Sequence, residues 1–150
     1  MRCKGSEWFE VKFAYDKTME NGAEKHVTEL YAVEALSFTE AEAKIVEEMS
    51  HYVDGDYEIK AITIPQYKEI WFSDNNSDDK YYEAKLQFIT IDEKTNKEKK
   101  SNVFYLVQAG SFDAAKKYIE ETMKGTMIDY DIASLKETAV MDVFEHEEKK

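Results

Sequence analysis

The chain has 150 residues, of which 43% are hydrophobic, 13% aromatic and 35% charged. These values are typical of one globular domain with a strongly ionised surface, and they argue against a disordered chain, which lacks large apolar side chains. The formal net charge of −12 repels phosphate backbones and anionic lipid. It therefore disfavours duplex DNA and membrane surfaces as partners and favours a basic protein partner.

The cysteine content and the N-terminal residues predict the cellular location. Cys3 is the single cysteine, so neither a disulfide within the chain nor a cysteine zinc site can form. The opening residues, "MRCKGSEWFE", lack the apolar segment of a signal peptide, and no apolar run is long enough to span a membrane. We expect a cytoplasmic protein that is a monomer or a homodimer.

A phrase of the sequence occurs twice. "YAVEALSFTEAEAKIVEEM" begins at Tyr31 and "YLVQAGSFDAAKKYIEETM" at Tyr105, and nine of 19 positions are identical. "WFEVKF" from Trp8 corresponds in the same way to "YYEAKL" from Tyr81, and "DYEIKAI" to "DYDIASL", at offsets of 73 or 74. Because unrelated segments share few residues by chance, this correspondence predicts a tandem duplication.

Each copy is predicted to contain two strands, a helix and two further strands. Alternation of apolar and polar residues predicts the first strands, at Trp8–Tyr15 and Tyr81–Ile91. Asn21-Gly22 is a tight-turn signal because both residues tolerate positive φ. The remaining predicted strands are Val27–Ala35, Tyr57–Ile64 and Tyr67–Phe72 in the first copy, and Val103–Ala109, Tyr130–Leu135 and Val140–Phe144 in the second.

The predicted helices follow Ser37 and Ser111, which are capping residues. Ser37 precedes Glu40 by three positions, as in a capping box. Intervals of three and four residues predict one apolar stripe on each helix. The stripes are Phe38, Ala41, Ile45 and Met49, and Phe112, Ala115, Ile119 and Met123. Gly125 is predicted to end the second helix in the left-handed conformation.

These patterns predict an α+β fold with antiparallel sheets and two helices packed on them. The prediction is a single domain, 1–150, made of β-β-α-β-β repeats at residues 7–73 and 80–145, related by a pseudo-twofold axis. An acidic polar linker at 74–79 would join the repeats. A lone repeat would bury little surface, so we expect the two to share a core.

No pattern predicts a catalytic, cofactor or metal site. His26, His51 and His146 lack the spacing of metal ligands, and no nucleotide-binding or nucleophile motif is present. Paired carboxylates are uninformative in a chain with 32 acidic residues. An enzyme of unrecognised type is the third alternative considered for the function.

One constellation suggests a binding surface. If Phe9, Val11 and Phe13 face the core, then the alternate residues of the same strand face outward. These residues are Trp8, Glu10 and Lys12, and the second copy repeats them as Tyr81, Glu83 and Lys85. We interpret them as a two-lobed contact surface anchored by exposed aromatic residues. The alternative is cross-strand pairing on an exposed sheet face.

Several quoted segments carry a family resemblance. "WFEVKF", "VTELYAVEALSFTEAEAKI", "FITIDEKTNKEKK" and "MKGTMIDYDIAS…VMDVF" resemble a family of small bacterial and phage proteins known only as a domain of unknown function. The similarity extends from about Trp8 to Phe144. It implies a stand-alone protein associated with gut anaerobes and their mobile elements, and it transfers no catalytic residue.

The function predicted from the sequence is a non-enzymatic protein-binding module with a basic partner. An inhibitor that imitates nucleic acid is its sharpest form. The alternative is a binder of single-stranded nucleic acid or a nucleotide, in which exposed aromatic residues stack on bases. Its basic contacts would be Lys94, Lys97, Lys99 and Lys100.

Overall fold

The computed structural model describes residues 1–146. In chain order the strands and helices are β1 (Arg2–Gly5), β2 (Trp8–Thr18), β3 (Glu24–Glu34), α1 (Phe38–Met49), β4 (Tyr57–Thr63), β5 (Glu69–Phe72), β6 (Lys80–Ile91), β7 (Glu98–Ala109), α2 (Phe112–Lys124), β8 (Asp129–Glu137) and β9 (Val140–Phe144). The fold is α+β with mostly antiparallel sheets, as predicted. β1 was not predicted, because its four residues carry no alternating pattern.

The elements form two compact units, and each is built from two separate stretches of chain. One unit comprises residues 1–5 and 66–138, and the other comprises residues 6–65 and 139–146. We call them the five-stranded unit and the four-stranded unit after their sheets. Neither unit is a continuous segment of sequence.

The four-stranded unit has the strand order β4-β2-β3-β9 with α1 packed against the sheet. Alternate residues of the central strand β2 face the helix, as their spacing predicts. The buried cluster includes Phe9, Val11 and Phe13 from β2 and Ala41, Ile45 and Met49 from α1. The predicted inward face of β2 and most of the α1 stripe are therefore correct.

The five-stranded unit has the strand order β1-β5-β7-β6-β8 with α2 packed against the sheet. Its buried residues include Ala84 and Leu86 from β6, Val107 from β7, and Ile119 and Met123 from α2. Trp71 of β5 belongs to the same cluster. The apolar stripe of α2 thus packs as the intervals of three and four residues predict.

The last two strands of each sequence half lie in different sheets. β4 pairs with β2, whereas β5 pairs in parallel with β7. β8 pairs with β6, whereas β9 pairs in parallel with β3. The predicted sheets were antiparallel, and the parallel pairs β3–β9 and β5–β7 depart from that prediction. A local pattern does not identify a strand's distant partner.

Both helix caps form. The backbone N–H of Glu40 donates to Ser37 Oγ at 3.1 Å, and that of Ala114 donates to Ser111 Oγ at 3.1 Å. Glu40 accepts from the N–H of Leu36 at 3.2 Å rather than from the cap residue of an ideal capping box.

Two details of the helix predictions are wrong. Phe38 and Phe112, which begin the helices, are 49% and 50% exposed rather than buried, although their rings contact those of Phe9 and Tyr82. Gly125 ends α2 with a φ of −76°, and Met127 adopts the positive φ of 58° instead.

Candidate functional site

The predicted anchors Trp8 and Tyr81 do not face solvent. Their exposed fractions are 2% and 5%, so the expectation of two exposed aromatic residues is wrong. Each lies at the start of a central strand, where the sheet is buried on both faces. Burial of a large aromatic side chain is favourable because it removes much apolar surface from water. The period-two pattern identifies one buried face and does not show that the other face is buried here.

The charged residues predicted beside these anchors are more accessible. Lys12 is exposed, and Glu10, Glu83 and Lys85 are partly buried. The carboxylate of Glu83 lies 3.7 Å from Lys136 Nζ, and Lys85 Nζ lies 6.0 Å from the ring centroid of Phe104. These cross-strand contacts are typical of a solvated sheet face.

The basic run lies at the tip of the β6–β7 hairpin. Lys94, Lys97, Lys99 and Lys100 are all exposed. Asp92, Glu93 and Glu98 are interspersed with them and are exposed too. The acidic neighbours reduce the local positive charge on which nucleic-acid binding depends. Trp8 and Tyr81, being buried, are also not available for stacking on bases.

The segment predicted as an acidic polar linker, 74–79, contains a buried carboxylate. Asp78 is 7% exposed, and its Oδ2 accepts hydrogen bonds from Ser73 Oγ and from Tyr118 Oη, the latter at 2.7 Å. Gln108 Nε2 donates to the Asp78 carbonyl at 2.9 Å. The hydrogen bond to Asp78 is the main cause that raises the pKa of Tyr118. This network attaches the segment firmly to the five-stranded unit.

A cleft of about 820 Å³ opens in the four-stranded unit. Its walls come from β2, β3, the loop after α1, and β9. Six carboxylates line it, from Asp16, Glu24, Glu29, Asp54, Asp56 and Asp142, against the single ammonium of Lys17. The formal charge of the lining is therefore −5. The aromatic side chains of the cleft are Tyr15, Tyr31, Tyr52 and Phe144.

Glu29 is the most enclosed of these six carboxylates. Its side chain is 10% exposed, it accepts a hydrogen bond from Tyr31 Oη at 3.0 Å, and Lys17 Nζ lies 3.9 Å away. Burial, followed by the hydrogen bond to Glu29, raises the pKa of Tyr15 to about 12. Burial and the Glu29 charge raise the pKa of Tyr31 as well. Both phenols are therefore neutral hydrogen-bond donors at physiological pH.

Strand β9 forms one wall of the cleft. Asp142 accepts a hydrogen bond from the backbone N–H of Val143 at 2.7 Å. Desolvation raises the pKa of Asp142, and the negative charge of Glu48 acts in the same direction. The ring of Phe144 stacks on Tyr31 with 5.3 Å between the centroids. The wall thus combines a carboxylate with a flat aromatic surface.

This combination is suited to organic cations. A lysine or arginine side chain has a charged head that carboxylates attract and an apolar stem that packs on aromatic rings. Within residues 1–146, no group of three or more His, Cys, Asp or Glu side chains is arranged to hold a metal ion. The cleft offers charge complementarity and stacking surfaces to such a side chain.

Sequence analysis missed this cleft because its residues are far apart in the chain. Asp16, Asp54 and Asp142 come from three separate segments, and no spacing rule connects them. The available signal was composition alone, and acidic residues are too frequent in this chain for that signal to single out a site.

Comparison with protein-family models gives a match to a domain of unknown function (DUF4494) over residues 7–146. No curated protein matches the chain, and no solved structure matches it. Neither of the helices within residues 1–146 has the length and apolar character needed to cross a bilayer.

Proposed function

The chain belongs to the family described as a domain of unknown function (DUF4494), and we propose that it is a non-enzymatic module that binds a basic protein partner through the acidic cleft. The observation that carries this proposal is the lining of six carboxylates against one lysine beside aromatic walls. We also propose a cytoplasmic location, which is consistent with the free, exposed thiol of Cys3.

A comparison of the two units supports a functional role for the charges. We propose that the chain is a tandem duplication, in which β2-β3-α1-β4-β5 corresponds to β6-β7-α2-β8-β9. Equivalent strand contacts support this: Tyr31 pairs with Asp142, and the corresponding Tyr105 pairs with Glu69. Each sheet thus takes its parallel strand from the other copy.

Under this correspondence, two carboxylates of the cleft stand where the other copy has apolar residues. Asp16 of β2 corresponds to Ile89 of β6, and Glu29 of β3 corresponds to Val103 of β7. The same framework therefore accepts apolar residues at these two positions, whereas Asp142 corresponds to the acidic Glu69. Two charges that the framework does not require, gathered with the others in one cleft, favour a role in recognition.

A binding experiment with a defined basic probe tests the proposal. Lysine-rich peptide is titrated into the wild type and into a triple variant, Asp16→Asn, Glu24→Gln and Asp54→Asn. Each exposed charge contributes up to about 1 kcal/mol, so we expect affinity to fall about tenfold or more. Added salt should weaken wild-type binding more than variant binding, because the wild type has more cleft charges for the salt to screen.

The matched control removes the same amount of charge elsewhere. Glu93→Gln, Glu98→Gln and Asp113→Asn neutralise three exposed carboxylates of the five-stranded unit. We expect this control to retain most of the affinity. An equal loss in the two triple variants would show that only net charge matters and would contradict a role for the cleft.

A finer form of the proposal is an inhibitor whose carboxylates imitate the phosphates of nucleic acid. This form requires that nucleic acid and this protein compete for the same surface of the partner. Once a partner is identified, displacement of the protein by excess duplex DNA is the expected result, and simultaneous binding would exclude the mimic.

A further inference from the structure

Strand β9 lies at the edge of its sheet and beside the cleft. In the order β4-β2-β3-β9, no strand within residues 1–146 pairs with its outer side. Met141, Asp142 and Phe144 of β9 line the cleft. A chain segment that extended this sheet would therefore pass directly along the acidic wall.

The five-stranded unit contains the corresponding edge in a covered state. Its parallel strand β5, which corresponds to β9, pairs on its outer side with β1 in antiparallel fashion. The covering segment is Arg2–Gly5, with two basic residues in four, and the guanidinium of Arg2 lies 4.2 Å from the centroid of the Phe72 ring. The molecule thus shows one basic strand added to this kind of edge.

One backbone donor of β9 is bonded by a side chain of the same strand. The N–H of Val143 donates to the carboxylate of Asp142, the preceding residue, at 2.7 Å. Val143 lies opposite Ala32 of β3, whereas its counterpart Ile70 lies between Leu106 of β7 and Lys4 of β1. The position equivalent to Lys4 is therefore the one that an added strand would occupy beside Asp142.

We propose that the partner presents an extended, basic segment that adds to β9 as an antiparallel fifth strand, with alternate lysine or arginine side chains entering the acidic cleft. This inference rests on the proposed function and specifies its mode of recognition. Backbone hydrogen bonds to β9 supply affinity, and the side chains that point into the cleft supply specificity. Because successive residues of a strand point to opposite faces, only alternate basic residues are needed.

The experiment uses short peptides of alternating lysine and threonine, acetylated and amidated at their ends, with the full-length protein. Two isomers carry N-methyl groups on alternate backbone amides, one isomer on the odd residues and the other on the even residues. Both retain every lysine charge. Since an added strand directs alternate N–H groups toward its neighbour, we expect one isomer to lose binding by about tenfold or more and the other to bind like the parent.

Backbone amide exchange locates the contact. The N–H groups of β9 that face its outer edge should exchange more slowly when the parent peptide binds, and the N–H of Lys99 in the exposed β7 end should not change. A Val143→Pro variant, in which proline alters the backbone of β9, should bind the parent peptide weakly. If that variant does not fold, the two methylated isomers still test the proposal with the wild-type protein.

Three other outcomes distinguish strand addition from binding in the cleft and from self-association. If both isomers bind as tightly as the parent, strand addition is wrong, while the acidic cleft remains the binding site. If the parent peptide does not bind at all, the proposed function fails as well. Concentration-dependent dimerisation that blocks peptide binding would show that a second copy of this chain occupies β9, and it would overturn the choice of partner.

Discussion

Truncation of Phe144 tests whether β9 stabilises the four-stranded unit, which also contains α1. Phe144 packs against the core of the four-stranded unit and stacks on Tyr31. Removal of a fully buried Phe costs about 3–5 kcal/mol; partial burial halves this, and the lost ring pair adds about 1 kcal/mol. We therefore expect Phe144→Ala to lower the free energy of unfolding by about 2.5–3.5 kcal/mol.

Native-state hydrogen exchange at low denaturant gives the location of that loss. Phe144→Ala should reduce amide protection in β2 and β3, which lie far from residue 144 in sequence. Trp71→Ala is the counterpart in the five-stranded unit, where the ring lies 4.5 Å from that of Tyr105. It should reduce protection in β6 and β7. Met141→Ala, at a residue 52% exposed, is the control and should change little.

A loss of protection in the sequence neighbours of β9, instead of in its sheet neighbours, would contradict this role of Phe144. If Phe144→Ala mainly exposes β8, which directly precedes β9 in the chain, then β9 does not stabilise the sheet with which it pairs.

Two further predictions concern titration and packing. Glu29→Gln should lower the pKa of Tyr15 from about 12 but not fully to 10, because burial is the larger cause; phenolate absorbance during alkaline titration measures this. The folded state holds the Tyr15 proton to higher pH than the unfolded state, so wild-type stability should fall as the pH rises through this range, and less so in the variant. Gly110→Ala should destabilise by about 1–3 kcal/mol in thermal denaturation, because an added Cβ would lie 2.9 Å from Asp78 Oδ1. Combination with Asp78→Ala should remove most of that penalty, whereas additive losses would contradict the contact.

Local sequence patterns predicted the local structure. The helix stripes ending at Met49 and Met123 and the caps at Ser37 and Ser111 depend only on residues within a few positions, and all four are present. Strand existence was predictable for the same reason, since β2 and β6 alternate clearly. Such patterns record which face of an element is buried, and that information is contained within the element itself.

The pairing of distant strands and the burial of a strand on both faces were not predictable from local patterns. Nothing within β9 indicates that it pairs with β3 and not with β8, because sheet pairing depends on the rest of the chain. Trp8 was misassigned because alternation identifies one buried face and is silent about the other. The cleft required both kinds of information, since β3 and β9 come together only through their parallel pairing.

The proposed binding role of the cleft predicts a pH dependence through Asp142. Desolvation and the Glu48 charge raise the pKa of Asp142, so the folded state binds its proton more tightly than the unfolded state does. The ionised carboxylate therefore lowers stability as the pH rises through its titration range. A cation placed beside Asp142 reverses this effect by favouring the charged form. If a basic segment binds as proposed, its affinity should therefore increase as Asp142 ionises.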